Sequence, residues 1–198
     1  MPVTSWMPAR DVDTLAAVGR TAGWGKVTGF NQSPLIALVG TEVQADDSDK
    51  AAFLQVSGST TEYLVCSDFD FAGQLPLGAT ITGVEVEGLI QKDSSGTYAV
   101  TNTEVFEWLG GASGAAHSSN FGALGDWPTT ETPTSYSAAS STSRSDAVTT
   151  GYGCAFSVTV ATGRNSLTSK HLIDRVRMRL TYTVNSTAAK RGKGAKFL

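Results

Sequence analysis

The chain has 198 residues, 40% of them hydrophobic and only 17% charged, with Gly, Ser and Thr carrying the balance. That apolar share excludes a disordered chain and the shortage of Lys and Glu excludes a solvated helical bundle, which leaves turn-rich β-structure. The formal charge is −3, but Lys190, Arg191, Lys193 and Lys196 stand in the last nine residues, and removing four cations from −3 leaves −7 on an acidic body that repels nucleic acid and anionic membranes.

The opening MPVTSWMPARDVDT lacks the basic and apolar segments of a secretory signal, so assembly in the cytoplasm is expected. Arg10 to Val18 reads as a short helix with Asp11 or Asp13 near its start. Leu35 to Val43, Ala51 to Val56 and Glu62 to Phe69 are weaker strand candidates. In Leu75-Pro-Leu-Gly-Ala, Pro76 fixes its own φ and Gly78 can take a positive one, which predicts a turn. The strand that follows, Thr80 to Gln91, puts Val84, Val86, Gly88 and Ile90 on one face and Glu85, Glu87, Leu89 and Gln91 on the other. Glu104 to Leu109 is another weak strand, and Gly110 to Asn120 shows no pattern.

Trp127 to Asp146 is rich in Ser, Thr and Pro and reads as a long surface loop, a place where partners are met, with Trp127 and Tyr136 as contact candidates. Cys154, Phe156, Val158 and Val160 alternate with small or polar residues as a core strand. The clearest strand is the last: Val176, Met178, Leu180, Tyr182 and Val184 alternate with Arg175, Arg177, Arg179, Thr181 and Thr183. A helix would scatter those arginines around its circumference. Together these give about seven strands, the number expected of a sandwich. The expected fold is an all-β, antiparallel, jelly-roll-like β-sandwich with long loops and flexible termini. Residues 1–59 form an N-terminal arm or the first strands, 60–185 the core, and 186–198 a flexible basic tail. Cys66 and Cys154 fall in strands that could face one another, and two buried thiols are expected.

Chemistry is sparse. Two His and two Cys are few for proton transfer or nucleophilic attack. His117 sits in a Gly/Ser loop, where it reads as solvated, and His171 just before the last strand, and neither is expected to be catalytic. Gly110, Gly111 and Gly114 lack the Lys and the strand-to-helix setting of a phosphate loop. Asp46, Asp47 and Asp49 lack the glycine and distal glutamate of a calcium loop and read as an acidic turn. Glu85 and Glu87 share a strand face, as a glycosidase pair would, but solubilising charge explains them as well. No enzyme activity, cofactor or metal is expected, and no run approaches the roughly 20 apolar residues of a membrane helix. Trp6, Trp24, Trp108 and Trp127 keep open a carbohydrate-binding module, in which exposed aromatics grip sugar.

The order of several motifs resembles a β-sandwich module of structural proteins in tailed-bacteriophage virions. Phe69-Asp-Phe71 is followed by a Pro-containing turn. The strand Ala79-Thr-Ile-Thr-Gly-Val-Glu-Val86 comes next, then Gly153-Cys-Ala-Phe-Ser-Val-Thr-Val160, and finally Ile173-Asp-Arg-Val-Arg-Met-Arg-Leu-Thr-Tyr182. The match covers roughly residues 60–184 and departs at Asp126-Trp-Pro, where such modules often carry Trp-Gly. The resemblance implies a virion building block without enzymatic activity. Of its forms, a capsid decoration or cement protein is the first expectation and a tail, neck or fibre-associated protein the second. Its partners would be the major capsid protein or other virion proteins, and a closed homo-oligomer, commonly a trimer, would bridge several subunits. The Arg175, Arg177, Arg179 row and the tail cations Lys190, Arg191, Lys193 and Lys196 would then meet acidic partners.

Overall fold

The computed structural model describes residues 1–15, 25–28, 43–45, 49–54, 60–92, 100–109, 117–120, 126–161 and 170–184. Two antiparallel sheets pack face to face as a β-sandwich. The six-stranded sheet runs β3 (Gly25–Thr28), β4 (Asp49–Leu54), β11 (Lys170–Val184), β6 (Ala79–Lys92) and β9 (Thr132–Ala139), with the short β1 (Met7–Pro8) also paired to β11. The five-stranded sheet runs β2 (Asp11–Leu15), β5 (Tyr63–Ser67), β10 (Gly153–Val160), β7 (Val100–Trp108) and β8 (His117–Asn120). From β4 to β11 the chain changes sheet at every step except β7 to β8, which gives the sandwich its jelly-roll character.

Strict alternation of side chains builds the core. Val84, Val86, Ile90, Val176, Met178 and Leu180 of one sheet meet Leu64, Cys66, Val105, Cys154, Phe156 and Val158 of the other, and all are buried. Tyr136 of β9 meets Phe156 of β10 edge-on across the sandwich at 6.0 Å. A fully buried Phe of this kind contributes roughly 2–3 kcal/mol. Cys66 and Cys154 are Cα partners on neighbouring strands, free and buried. The turn into β6 forms where expected: Ala79 N–H donates to Pro76 O at 3.1 Å, and Gly78 takes φ +77.

Several expectations need correction. In the span Arg10 to Val18 expected as a helix, Asp11–Leu15 form a strand instead, because Asp-Val-Asp alternation turns Val12 inward and leaves Asp11 and Asp13 exposed on β2, while residues 16–18 lie outside the described residues. The long loop Trp127 to Asp146 contains β9 and the one-turn helix α1 (Arg144–Ala147), capped by Ser143. An edge strand needs only one apolar face, and Tyr136 supplies most of it while Pro133, Ser135, Ser137 and Ala139 face solvent. The N-terminus is not a loose end, since residues 2–9 run along the edge of β11. Thr4 N–H donates to Leu180 O at 2.9 Å, Tyr182 N–H to Pro2 O at 3.1 Å and Ala9 N–H to Val176 O at 3.0 Å. The described part of residues 1–59 supplies β1 to β4 and so contributes to both sheets. Residues 35–42, the glycines at 110, 111 and 114, and the tail with Lys190, Arg191, Lys193 and Lys196 lie outside the described residues.

Candidate functional site

The outer face of the six-stranded sheet carries a regular polar lattice. Register sets it: Arg179 lies opposite Glu85, which lies opposite Ser137; Arg177 lies opposite Glu87, which lies opposite Ser135; Thr181 lies opposite Gly83, which lies opposite Ala139. Residues directly opposite in an antiparallel pair share a face, so three strands present rows of cation, carboxylate and hydroxyl. Arg179 directs both Nε and Nη2 to Glu85 Oε2 at 2.6 Å. Arg177 grips Glu87 with Nη2 3.1 Å from Oε2 and Nε 2.8 Å from Oε1. Arg175 Nη2 reaches Glu87 Oε1 at 3.5 Å. The arginine row expected to face acidic partners therefore spends its charge within the sheet, on carboxylates of the neighbouring strand.

Trp6 completes the face. It precedes Met7, whose Cα partner is Met178, and comes to lie beside Arg177 and Arg179. The guanidinium carbons of these two sit 4.8 and 4.5 Å from the centre of its ring. Each such contact is worth roughly 0.5–1 kcal/mol, and two of them hold the indole in place while part of it stays exposed. On the far side of Glu85 lies an open depression of about 440 Å³. Gly83, Thr82, Glu85, Ser137, Thr181 and Met1 are among the residues that line it. A Cβ on Gly83 would stand 3.5 Å from Thr181 Cβ, an ordinary contact, so the missing side chain leaves space there without demanding special backbone geometry. Trp6, Arg179, Glu85 and the depression are thus contiguous.

The other candidates are placed differently. Trp127 and Tyr136, expected as surface contacts, are 2% and 4% exposed. Trp127 donates from Nε1 to Thr103 Oγ1 at 2.8 Å, and burial pushes the Tyr136 phenol well above its usual range. His171, expected just before the last strand, lies within β11, fully buried, its ring edge-on to Trp127 at 5.3 Å. Burial lowers its pKa to about 4, with Asp126 opposing and Lys92 adding to the effect, so the imidazole is neutral near pH 7. His117 falls in β8 and Asp49 in β4, while Asp46, Asp47 and Trp24 lie outside the described residues. No group of three or more potential metal ligands forms among the described residues. Trp108 is 4% exposed and packs with Tyr63, Val65, Phe106 and Ala155 on the outer face of the five-stranded sheet. Of the three described tryptophans, only Trp6 is more than marginally exposed.

Two buried polar groups were not foreseen. Glu107, 1% exposed on the inner face of β7, accepts at Oε1 from Ser140 Oγ (2.9 Å), Thr142 Oγ1 (2.6 Å) and Tyr152 OH (2.8 Å). Its signal is an acidic residue at the inward phase of an alternating strand. Lys50 pairs with Glu131 and with Asp174, the latter at 2.8 Å. A bulge in β11 between Ile173 and Val176 interrupts the alternation where Asp174 sits. Both groups are enclosed and tie strands together.

No protein-family model matches the chain, and no curated protein sequence matches it. Solved structures do. The enzymatically active domain of tailspike protein 4 from bacteriophage CBA120 is 11% identical with a TM-score of 0.39, over 89% of this chain and 19% of that one. The CBM22-1 and GH10 modules of Clostridium thermocellum xylanase 10B, complexed with xylohexaose, are 11% identical with a TM-score of 0.41, over 93% and 29%. The CBM22-1 xylan-binding domain of Paenibacillus barcinonensis Xyn10C is 12% identical with a TM-score of 0.36, over 90% and 94%. The chain thus spans less than a third of the first two. At these scores the likeness carries no functional argument, and the site must speak for itself.

Proposed function

We propose that this chain is a non-catalytic carbohydrate-binding module that holds a glycan on the outer face of its six-stranded sheet. The observation that carries the reading is the open depression lined by Glu85, Ser137, Thr82 and Thr181 beside a part-exposed tryptophan held by two arginines. Sugars present hydroxyl donors and acceptors along their edges and C–H groups on their faces. The carboxylate and hydroxyls suit the first, the exposed part of the indole the second. Holding Trp6 and Glu85 in place before binding lowers the ordering cost of association. The non-catalytic part of the reading is supported by the carboxylates, since Glu85 and Glu87 are each tied to arginine rather than poised as an acid and base pair.

The test is retardation of the chain in native gels containing soluble polysaccharides, followed by titration calorimetry on the best oligosaccharide. Wild type should be retained, and Trp6→Ala should weaken binding roughly 30-fold, the loss of an aromatic anchor. Absence of retention by any glycan, together with co-sedimentation with empty phage capsids, would overturn the reading in favour of capsid decoration.

A further inference from the structure

We infer that the site selects neutral glycans and rejects acidic ones, and that Glu85 is the residue that sets this preference; the inference rests on the carbohydrate-binding reading above. Among the side chains that line the depression one is charged, Glu85, and the other polar ones, Thr82, Ser137 and Thr181, are uncharged hydroxyls. Neutral sugar hydroxyls can donate to that carboxylate. A uronate or sialate bound there would set a second carboxylate against it, and like charges repel.

Three arginines stand nearby, an arrangement that by charge alone suits anions. The geometry opposes this. Arg179 already turns two nitrogens of its fork to Glu85 Oε2, both at 2.6 Å. Arg177 is forked onto Glu87, and Arg175 reaches the same carboxylate. An acidic sugar that recruited one of these guanidiniums would have to share it with a carboxylate that is already positioned, and that carboxylate would stay beside the ligand. Specificity of this kind comes from a group that repels the wrong partner as well as attracting the right one.

Replacing Glu85 with glutamine removes the repelling charge and releases Arg179 in the same step. The variant should then gain what the wild type lacks. The experiment measures binding of wild type, Glu85→Gln and Gly83→Val to xylohexaose, cellohexaose and hexagalacturonate at low ionic strength, with circular dichroism to confirm the fold of each. The expected result for wild type is at least tenfold tighter binding of a neutral hexasaccharide than of hexagalacturonate. Glu85→Gln should tighten hexagalacturonate binding at least tenfold, with the gain lost as salt is raised. Gly83→Val should fill the depression and abolish neutral binding while keeping the strand, since a β-branched residue suits an extended backbone. Wild type that binds hexagalacturonate as well as the neutral sugars, or Glu85→Gln with unchanged selectivity, would overturn the inference and leave the carbohydrate reading standing. Neutral binding that survives Gly83→Val would overturn the placement of the site. Binding of none of the three sugars by wild type would overturn both.

Discussion

Lowering the pH from 7.5 to 4.5 should weaken the fold through a single imidazole. His171 is fully buried against Trp127, and desolvation holds its pKa at about 4, against 6.5 for an exposed histidine. Between those two values the folded chain keeps the ring neutral while the unfolded chain protonates it. The unfolded state then binds more protons, so stability rises with pH across this window and is lost as pH falls from 6.5 toward 4. At about 1.4 kcal/mol per tenfold, the gap amounts to roughly 3 kcal/mol in full, and about 2.5 kcal/mol of it is gone by pH 4.5. That is a large share of a stability of about 5–15 kcal/mol. The assay is urea denaturation at one-unit pH steps for wild type and His171→Phe, which keeps the edge-on contact with Trp127 and removes the titration. The variant should show a flatter profile between pH 6.5 and 4.5 by about 2.5 kcal/mol. Parallel profiles would refute the argument, because the pH dependence would then belong to other groups.

Three further outcomes are expected. Glu107→Leu should cost about 3 kcal/mol, because it leaves the Ser140, Thr142 and Tyr152 hydroxyls without their buried acceptor. Tyr152→Phe should cost only about 1 kcal/mol, and the reverse order in chemical denaturation would contradict this account. Tyr136→Phe should be neutral or stabilising by about 1 kcal/mol, since its buried hydroxyl has no hydrogen-bond partner among the described residues; a loss above 1 kcal/mol in thermal unfolding would count against it. Gly153→Ala should fail to fold or lose more than about 3 kcal/mol, because a Cβ there would lie 2.0 Å from Cys66 O, whereas Gly83→Ala meets nothing closer than 3.5 Å. Equal melting temperatures for the two glycine variants would show that β5 and β10 yield more easily than their register suggests.

What was legible in the sequence followed the alternation of side chains. Val84 and Val86 of β6, Cys154, Phe156, Val158 and Val160 of β10, and Val176, Met178 and Leu180 of β11 stand in period two, and the core takes them as the pattern does. β9 hid because an edge strand with Ser135 and Ser137 outside and one large inward residue, Tyr136, has the composition of a loop. β2 hid because Asp11 and Asp13 look like helix caps when read without the Val12 between them. The two charged rows of the candidate site were each readable, Glu85 and Glu87 from one strand and the arginines from another. That they face one another depends on the β6 to β11 register, which no local pattern encodes. The same holds for Trp127 and His171, which sit edge-on to one another although 44 positions separate them in the chain.

Trp6 reaches the site on the most peripheral piece of backbone in the six-stranded sheet. The segment from Pro2 to Ala9 is seamed to β11 by a few main-chain bonds, and Gln74 steadies it by accepting from Ser5 N–H at 2.6 Å. A segment at the margin of a sheet can open on its own at a lower free energy than unfolding of the sandwich. On the carbohydrate-binding reading, the apparent Kd for glycan is then the intrinsic Kd divided by the fraction of time the segment is docked. A substitution at Gln74 should therefore weaken the proposed glycan binding more than it lowers the melting temperature, the mark of a latch whose wear a stability assay would not detect.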